Sequence, residues 1–242
     1  LKGDIVGAPS LSLSSKGTPQ ALSQGKEIAV RAAMNGASEV DIKNAPLVFL
    51  GYGVKAGERN WDDFKGVDLK GKIAVVLIND PDFEGGEGDF GGKAMTYYGR
   101  WTYKYEELAR QGAAGVLIVH ETAPAAYGWA TVRASGLSPV FDIPRDDAAQ
   151  YHTRLRGWMQ RDLAVSLFQR AGLDFEAEKR RAQTAAFAPV ALGDATMSAA
   201  FAVKRDQVVT RNVIGRLQGA QRPDETVIYS AHWDAFGIGE PD

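Results

Sequence analysis

Apolar and polar positions alternate with a period of two over the first stretch of the chain. Leu11 and Leu13 sit between serines, Ile28 and Val30 alternate with Glu27, Ala29 and Arg31, and Val40 and Ile42 alternate with acids. That period places successive side chains on opposite faces of a strand. Turn signals separate the runs, at Gly17-Thr-Pro19 and at Asn35-Gly36. Residues 1–45 therefore read as an N-terminal segment of edge strands joined by turns.

The pattern then changes. Leu47–Val54 and Lys72–Asn79 are continuous apolar runs, the second with an Ile-Ala-Val-Val-Leu-Ile centre, and runs of that kind are buried on both faces. Trp101, Tyr105, Leu108 and Ala109 fall at i, i+4, i+7 and i+8, which predicts a helix from about Gly99 to Gln111 closed by Gly112. Val116–His120 reads as the next buried strand, completing a βαβ unit. A second helix is expected from an Asp162 N-cap through Leu163, Leu167 and Phe168 to Gly172. Beyond residue 190 the chain returns to strands at Met197–Lys204 and Val208–Leu217, a turn over Gly219–Asp224, and a final buried strand at Thr226–Ala231. That last strand would present His232 and Asp234 at its carboxyl end, where open α/β sheets bind ligands. No repeat of 20–50 residues is visible.

Composition narrows the function classes. The chain has 242 residues, 45% of them hydrophobic, and a formal net charge of −2 from 28 basic and 30 acidic side chains. Without a dense basic run, nucleic-acid binding is not expected. The longest apolar stretches, at Ile73–Ile78 and Ala113–Val119, fall far short of the ~20 residues of a membrane helix, so no membrane span is expected. Cysteine is absent, which removes disulfides, thiolate metal sites and cysteine nucleophiles. The chain starts at Leu1 with no leader pattern, as expected after removal of a targeting segment or within a longer protein.

His232 and Asp234 are the sharpest candidates for chemistry. Two apart on an extended segment, they point the same way: an imidazole to hold a metal and a carboxylate to orient it. Alternatively, they merely cap a strand end, since zinc needs three or four ligands. His120, beside Glu121, is a base, a ligand or a polar strand terminus; His152, among Gln150, Tyr151, Thr153 and Arg154, reads as solvated. No Gly-x-Ser-x-Gly elbow suggests a serine hydrolase. Gly86, Gly88 and Gly91 match a dinucleotide fingerprint, but Asp80–Gly85 separate them from the strand and Glu84, Glu87 and Asp89 would repel a pyrophosphate. Asp80, Asp82, Glu84 and Gly85 occupy positions 1, 3, 5 and 6 of a calcium loop, but position 12 is Gly91 rather than Glu, so a solvated loop is the default. The aromatics Tyr97, Tyr98, Trp101, Tyr103 and Tyr105 are either core with a half-exposed remainder or the wall of a cleft.

Several separated motifs carry a resemblance. The segment 94–121, Val48-Phe-Leu-Gly-Tyr-Gly-Val54 and Asp68-Leu-Lys-Gly-Lys-Ile-Ala-Val-Val-Leu-Ile-Asn-Asp-Pro81 resemble the protease-associated (PA) domain inserted into secreted zinc aminopeptidases of metallopeptidase family 28. Asn212-Val-Ile-Gly-Arg-Leu217 and Tyr229-Ser-Ala-His-Trp-Asp-Ala-Phe-Gly237 are similar to the re-entry into that family's peptidase domain. The resemblance implies an α/β fold in which a PA domain of mixed sheets with flanking helices, at 46–190, is inserted in the start of an α/β zinc-exopeptidase sheet. Residues 191–242 would be the incomplete start of the peptidase domain.

It further implies that His232 matches a ligand of one of two zinc ions and that Asp234 supports the site. The remaining ligands and the catalytic Glu would lie beyond Asp242, leaving this portion alone inactive. In the complete enzyme the paired metals activate a water that hydrolyses the N-terminal peptide bond. Peptide is the expected substrate, and secretion or a periplasmic location is implied. The alternatives are a non-catalytic PA-type module controlling peptide access or partner binding, and, more weakly, a calcium-stabilised adhesion module.

Overall fold

A computed structural model describes residues 1–32, 34–85 and 88–232. Compactness divides the chain into two units, Leu1–Val208 and Val209–Asp242. The first is built on one mixed sheet whose strands run in the order β2-β1-β11-β4-β7-β8-β10-β3. These are β1 (Lys2–Ser15), β2 (Thr18–Ala21), β3 (Ile28–Arg31), β4 (Glu39–Phe49), β7 (Ile73–Leu77), β8 (Gly115–His120), β10 (Leu155–Gln160) and β11 (Val190–Asp206). A ninth strand, β9 (Val140–Phe141), pairs with β1, while β5 (Lys55–Ala56) and β6 (Trp61–Asp62) form a separate small ribbon.

Strands β4, β7, β8 and β10 are mutually parallel, and the other pairings of the sheet are antiparallel. Every residue of β7 and β8 is buried, as their unbroken apolar runs require. One face carries Phe49, Val75, Leu117 and Met159, packed with α5 (Arg161–Arg170) and α6 (Phe175–Arg181) through Leu167, Phe168 and Phe175. The opposite face carries Ala74, Val76, Ile118 and Trp158, packed with α1 (Trp101–Arg110) and α3 (Trp129–Leu137) through Tyr105, Leu108 and Val132. Helices on both faces of the parallel strands make this an α/β structure. Two short helical turns, α2 (Thr122–Ala125) and α4 (Ala148–Tyr151), complete the elements used below.

The expected βαβ unit is β7-α1-β8. Gly112 adopts φ 79°, and the Ala113 and Gly112 N–H groups donate to Leu108 and Ala109 O at 3.0 and 2.9 Å, a Schellman stop. Gly172 closes α5 in the same way. Asp162, however, is not the N-cap. Gln160 holds that position and Asp162 lies in the first turn, where its charge favours the helix dipole.

The early alternating runs are strands, but only partly edges. β2 and β3 end the sheet, whereas β1 and β4 lie inside it, flanked by β11. The expected strand at Leu47–Val54 stops at Phe49, because Gly51 and Gly53 take φ 56° and 61° and bend the chain. No strand forms among the described residues at 208–217 or 226–231, and these residues are exposed. Apolar content alone does not make a strand: without a neighbouring strand, its backbone groups gain nothing from extension.

Candidate functional site

Parallel strands ending together create a crevice at their carboxyl ends. Leu77 and Met159 are each paired with Val119, and Gln160 with His120, so β7, β8 and β10 terminate at one level. The chain leaving them encloses a pocket of about 390 Å³ lined by Glu84, His120, Glu121, Pro124, Trp129, Gln160 and Arg161, among others. This is the position at which open α/β sheets bind ligands.

His120, 5% exposed, has its Nε2 2.9 Å from Tyr127 O; only a protonated Nε2 makes that bond, so Nδ1 is the nitrogen left to accept in the neutral ring. Its ring meets Trp129 and Trp158 edge-on at 5.5 and 6.0 Å. Glu121 accepts from Lys179 Nζ at 2.7 Å and lies 3.3 Å from Arg161 Nε. Lys179 also reaches Glu84 at 2.8 Å, and Arg161 reaches Glu176. Burial opposes the Lys179 charge, but its bonds to Glu121 and Glu84 outweigh that and hold its pKa above the ordinary lysine value. The pocket is thus rimmed by three carboxylates, Glu84, Glu121 and Glu176, bridged by two cations, Lys179 and Arg161.

Behind it lies a second buried group. Asn79, at the end of β7 with φ 72°, donates Nδ2 to Pro124 O at 2.7 Å and accepts from Asp80 N at 2.8 Å, joining the strand end to α2. Lys104 of α1 is fully buried and donates to Tyr52 O at 2.6 Å and Asn79 O at 3.0 Å. Burial pulls its pKa down to about 8, against the opposing pull of Asp80 and Asp63. Asp63 accepts from Val54 N at 2.9 Å and Trp61 Nε1 at 2.8 Å.

The residues singled out from the sequence distribute unevenly. His120 and Glu121 line the pocket. His232 is exposed in a segment without strand or helix, and Asp234 lies outside the described residues. Among the described residues, no group of three or more His, Cys, Asp or Glu side chains is placed to hold a metal. His152 is not solvated, as its polar neighbours suggested; its Nε2 lies 3.0 Å from Asp142 with the side chain 9% exposed.

The acidic loop turns Asp80 and Asp82 inward. Asp80 accepts from Thr96 N and Oγ1 at 2.6 and 3.0 Å, and Asp82 from Phe90 and Gly92 N at 2.8 and 3.0 Å. Of the aromatics, Tyr103 and Tyr105 are core, Trp101 is half-buried and Tyr97 is 58% exposed. Lys104, Arg161 and Lys179 went unmarked in the sequence. For Lys104 a signal existed: it falls at i+3 from Trp101, within the apolar stripe of its helix.

No described helix is long and apolar enough to cross a membrane. No protein-family model matches the chain, and no curated protein matches it. Among solved structures it is similar to an aminopeptidase from Aneurinibacillus sp. strain AM-1, at 15% identity and a TM-score of 0.37. The match covers 84% of this chain and 34% of that one, so the chain spans about a third of the length of its structural neighbour.

Proposed function

We propose that this chain is the amino-terminal portion of a zinc-dependent aminopeptidase and that its Leu1–Val208 unit includes a PA domain, at 46–190, serving as the peptide-binding accessory. The observation that carries the reading is the order of the motifs, from Val48 through the 94–121 segment to Asn212 and finally His232 and Asp234. In this reading His232 is one ligand of a zinc site and Asp234 supports it, with the remaining donors supplied by residues beyond those described. Secretion or a periplasmic location belongs to the same proposal.

The test is zinc content by mass spectrometry, together with hydrolysis of an aminoacyl-p-nitroanilide, on the full-length protein and its His232→Ala variant. The expected outcome is loss of bound zinc and of at least about 100-fold in rate, the scale set by loss of a metal-activated water. A variant that keeps both its zinc and its turnover would sink the assignment.

A second reading is favoured by the pocket itself. Trp129 supplies an apolar wall, and Glu84, Glu121 and Arg161 are each engaged in an ion pair. Such a surface suits a neutral polar chain, such as a peptide backbone, better than a free ion. On this reading the chain binds peptide without cleaving it. Titrating short neutral peptides into the 242-residue chain should change its tryptophan fluorescence, and Trp129→Phe should remove most of the change.

A further inference from the structure

Arg31 and Arg156 are direct cross-strand partners in the antiparallel pairing of β3 with β10. Like charges in that position repel, and the environment does little to relieve them. Arg156 is only 6% exposed, and its Nε and Nη2, together with Nε of Arg31, are buried without a hydrogen-bond partner. The remaining Arg156 nitrogen, Nη1, lies 3.4 Å from Nδ1 of His152. The nearby carboxylate, Asp142, is directed to the other side of that imidazole, 3.0 Å from Nε2. Tyr105, from α1, uses its hydroxyl to donate to Gly157 O at 3.1 Å. The Arg31 guanidinium lies over the Trp101 ring, 5.3 Å from its centroid.

Burial and the neighbouring Arg31 charge pull Arg156 down to about 10, so it stays cationic at neutral pH. Two fixed cations with three unanswered nitrogens, carrying four N–H groups between them, form an expensive arrangement if nothing faces them.

We propose that Arg31 and Arg156 form a clamp for one small oxyanion, a carboxylate, phosphate or sulfate group, held by those three unpartnered nitrogens between β3 and β10. Guanidinium forks match planar and tetrahedral oxyanions through paired N–H···O bonds. The burial of Arg156 limits the ligand to a small group rather than an extended polyanion. The clamp stands apart from the peptidase reading, because it uses none of the pocket residues and neither His232 nor Asp234.

An oxyanion that binds only the folded chain raises its melting temperature. The 242-residue chain is melted in chloride, acetate, phosphate and sulfate at one ionic strength, which holds general screening constant. The expected result is a rise of roughly 2–4 °C over chloride with at least one oxyanion. Arg31→Gln, at a half-buried position on an edge strand, should abolish the rise, while the exposed Lys43→Gln should retain it. A response to acetate identifies a carboxylate ligand; a response only to phosphate or sulfate identifies a tetrahedral one.

Calorimetric titration of the wild type with the responding anion reads the site directly, should Arg31→Gln fail to fold. One-to-one binding supports the clamp. Melting temperatures unchanged from chloride, an equal rise in a folded Arg31→Gln, or the absence of saturable heat would overturn it.

Discussion

A buried lysine is tolerated only where its charge is answered by acceptors and opposite charges. Lys104 meets that condition through two backbone carbonyls, with Asp63 and Asp80 as compensating charge. Replacing it with Met keeps the volume but leaves those carbonyls open and the two acids without their cation. Lys104→Met should therefore cost about 3–5 kcal/mol in a urea melt, and a loss below about 1 kcal/mol would show that the charge is not structural. His152 makes a second test at this scale. Burial lowers its pKa, Arg156 and Arg145 add to the effect, and Asp142 opposes it. The unfolded chain then takes up the proton first, so this contribution is complete above the unfolded value of about 6.5 and is lost as pH falls toward the folded pKa. The wild type should lose stability faster than His152→Gln between about pH 6.5 and 5, and parallel pH profiles would contradict the shift.

At the scale of elements, α6 shows how local sequence positions the pocket. Asp174 caps it by accepting from Ala177 N at 2.6 Å, Glu176 and Glu178 occupy its first turn, and Lys179, Arg180 and Arg181 its last. That order of charges complements the helix dipole. The helix is worth holding in place because Lys179 joins Glu84 of the loop after β7 to Glu121 after β8. Asp174→Ala should cost about 1 kcal/mol, within the usual range for losing a cap, and Asp174→Asn markedly less; equal losses in thermal melts would exclude the cap as the cause. Elements with a strong period were readable from sequence, namely β7, α1, β8 and α5 with their glycine stops. Strand β10 was not, because Arg156, Gly157 and Gln160 interrupt its apolar run. Only tertiary pairing reveals why they belong there: a Cβ at Gly157 would come within 2.8 Å of Ala29 O, so the closeness of β3 demands glycine.

For the whole molecule, the α/β class followed from buried runs alternating with a helix, since that order leaves few topologies, whereas the strand-end crevice was expected after Thr226–Ala231 and the pocket described lies at the ends of β7, β8 and β10. The charged rim did not follow, because Glu84, Glu121, Arg161 and Lys179 come from four separate stretches of chain and no local spacing links them. The segment after Val208 also escaped the pattern: Val213, Ile214, Val227 and Ile228 look like strand residues yet are 79–90% exposed. Their exposure has a direct consequence for proteolysis. Trypsin needs an extended, accessible backbone, and Arg211 and Arg216 lie in exposed chain outside regular structure, whereas Pro223 protects the bond after Arg222. By contrast, Arg31, Lys104, Arg156 and Lys179 are held in strands or helices and are half-buried or buried. Brief digestion of the 242-residue chain should therefore cut first at Arg211 or Arg216, leaving a large fragment that begins at Leu1 and ends at one of them. Mass spectrometry at early times reads those ends. First cuts at residues of the central strands would instead mean that the sheet opens as readily as the exposed segment, contrary to the burial of β7, β8 and β10.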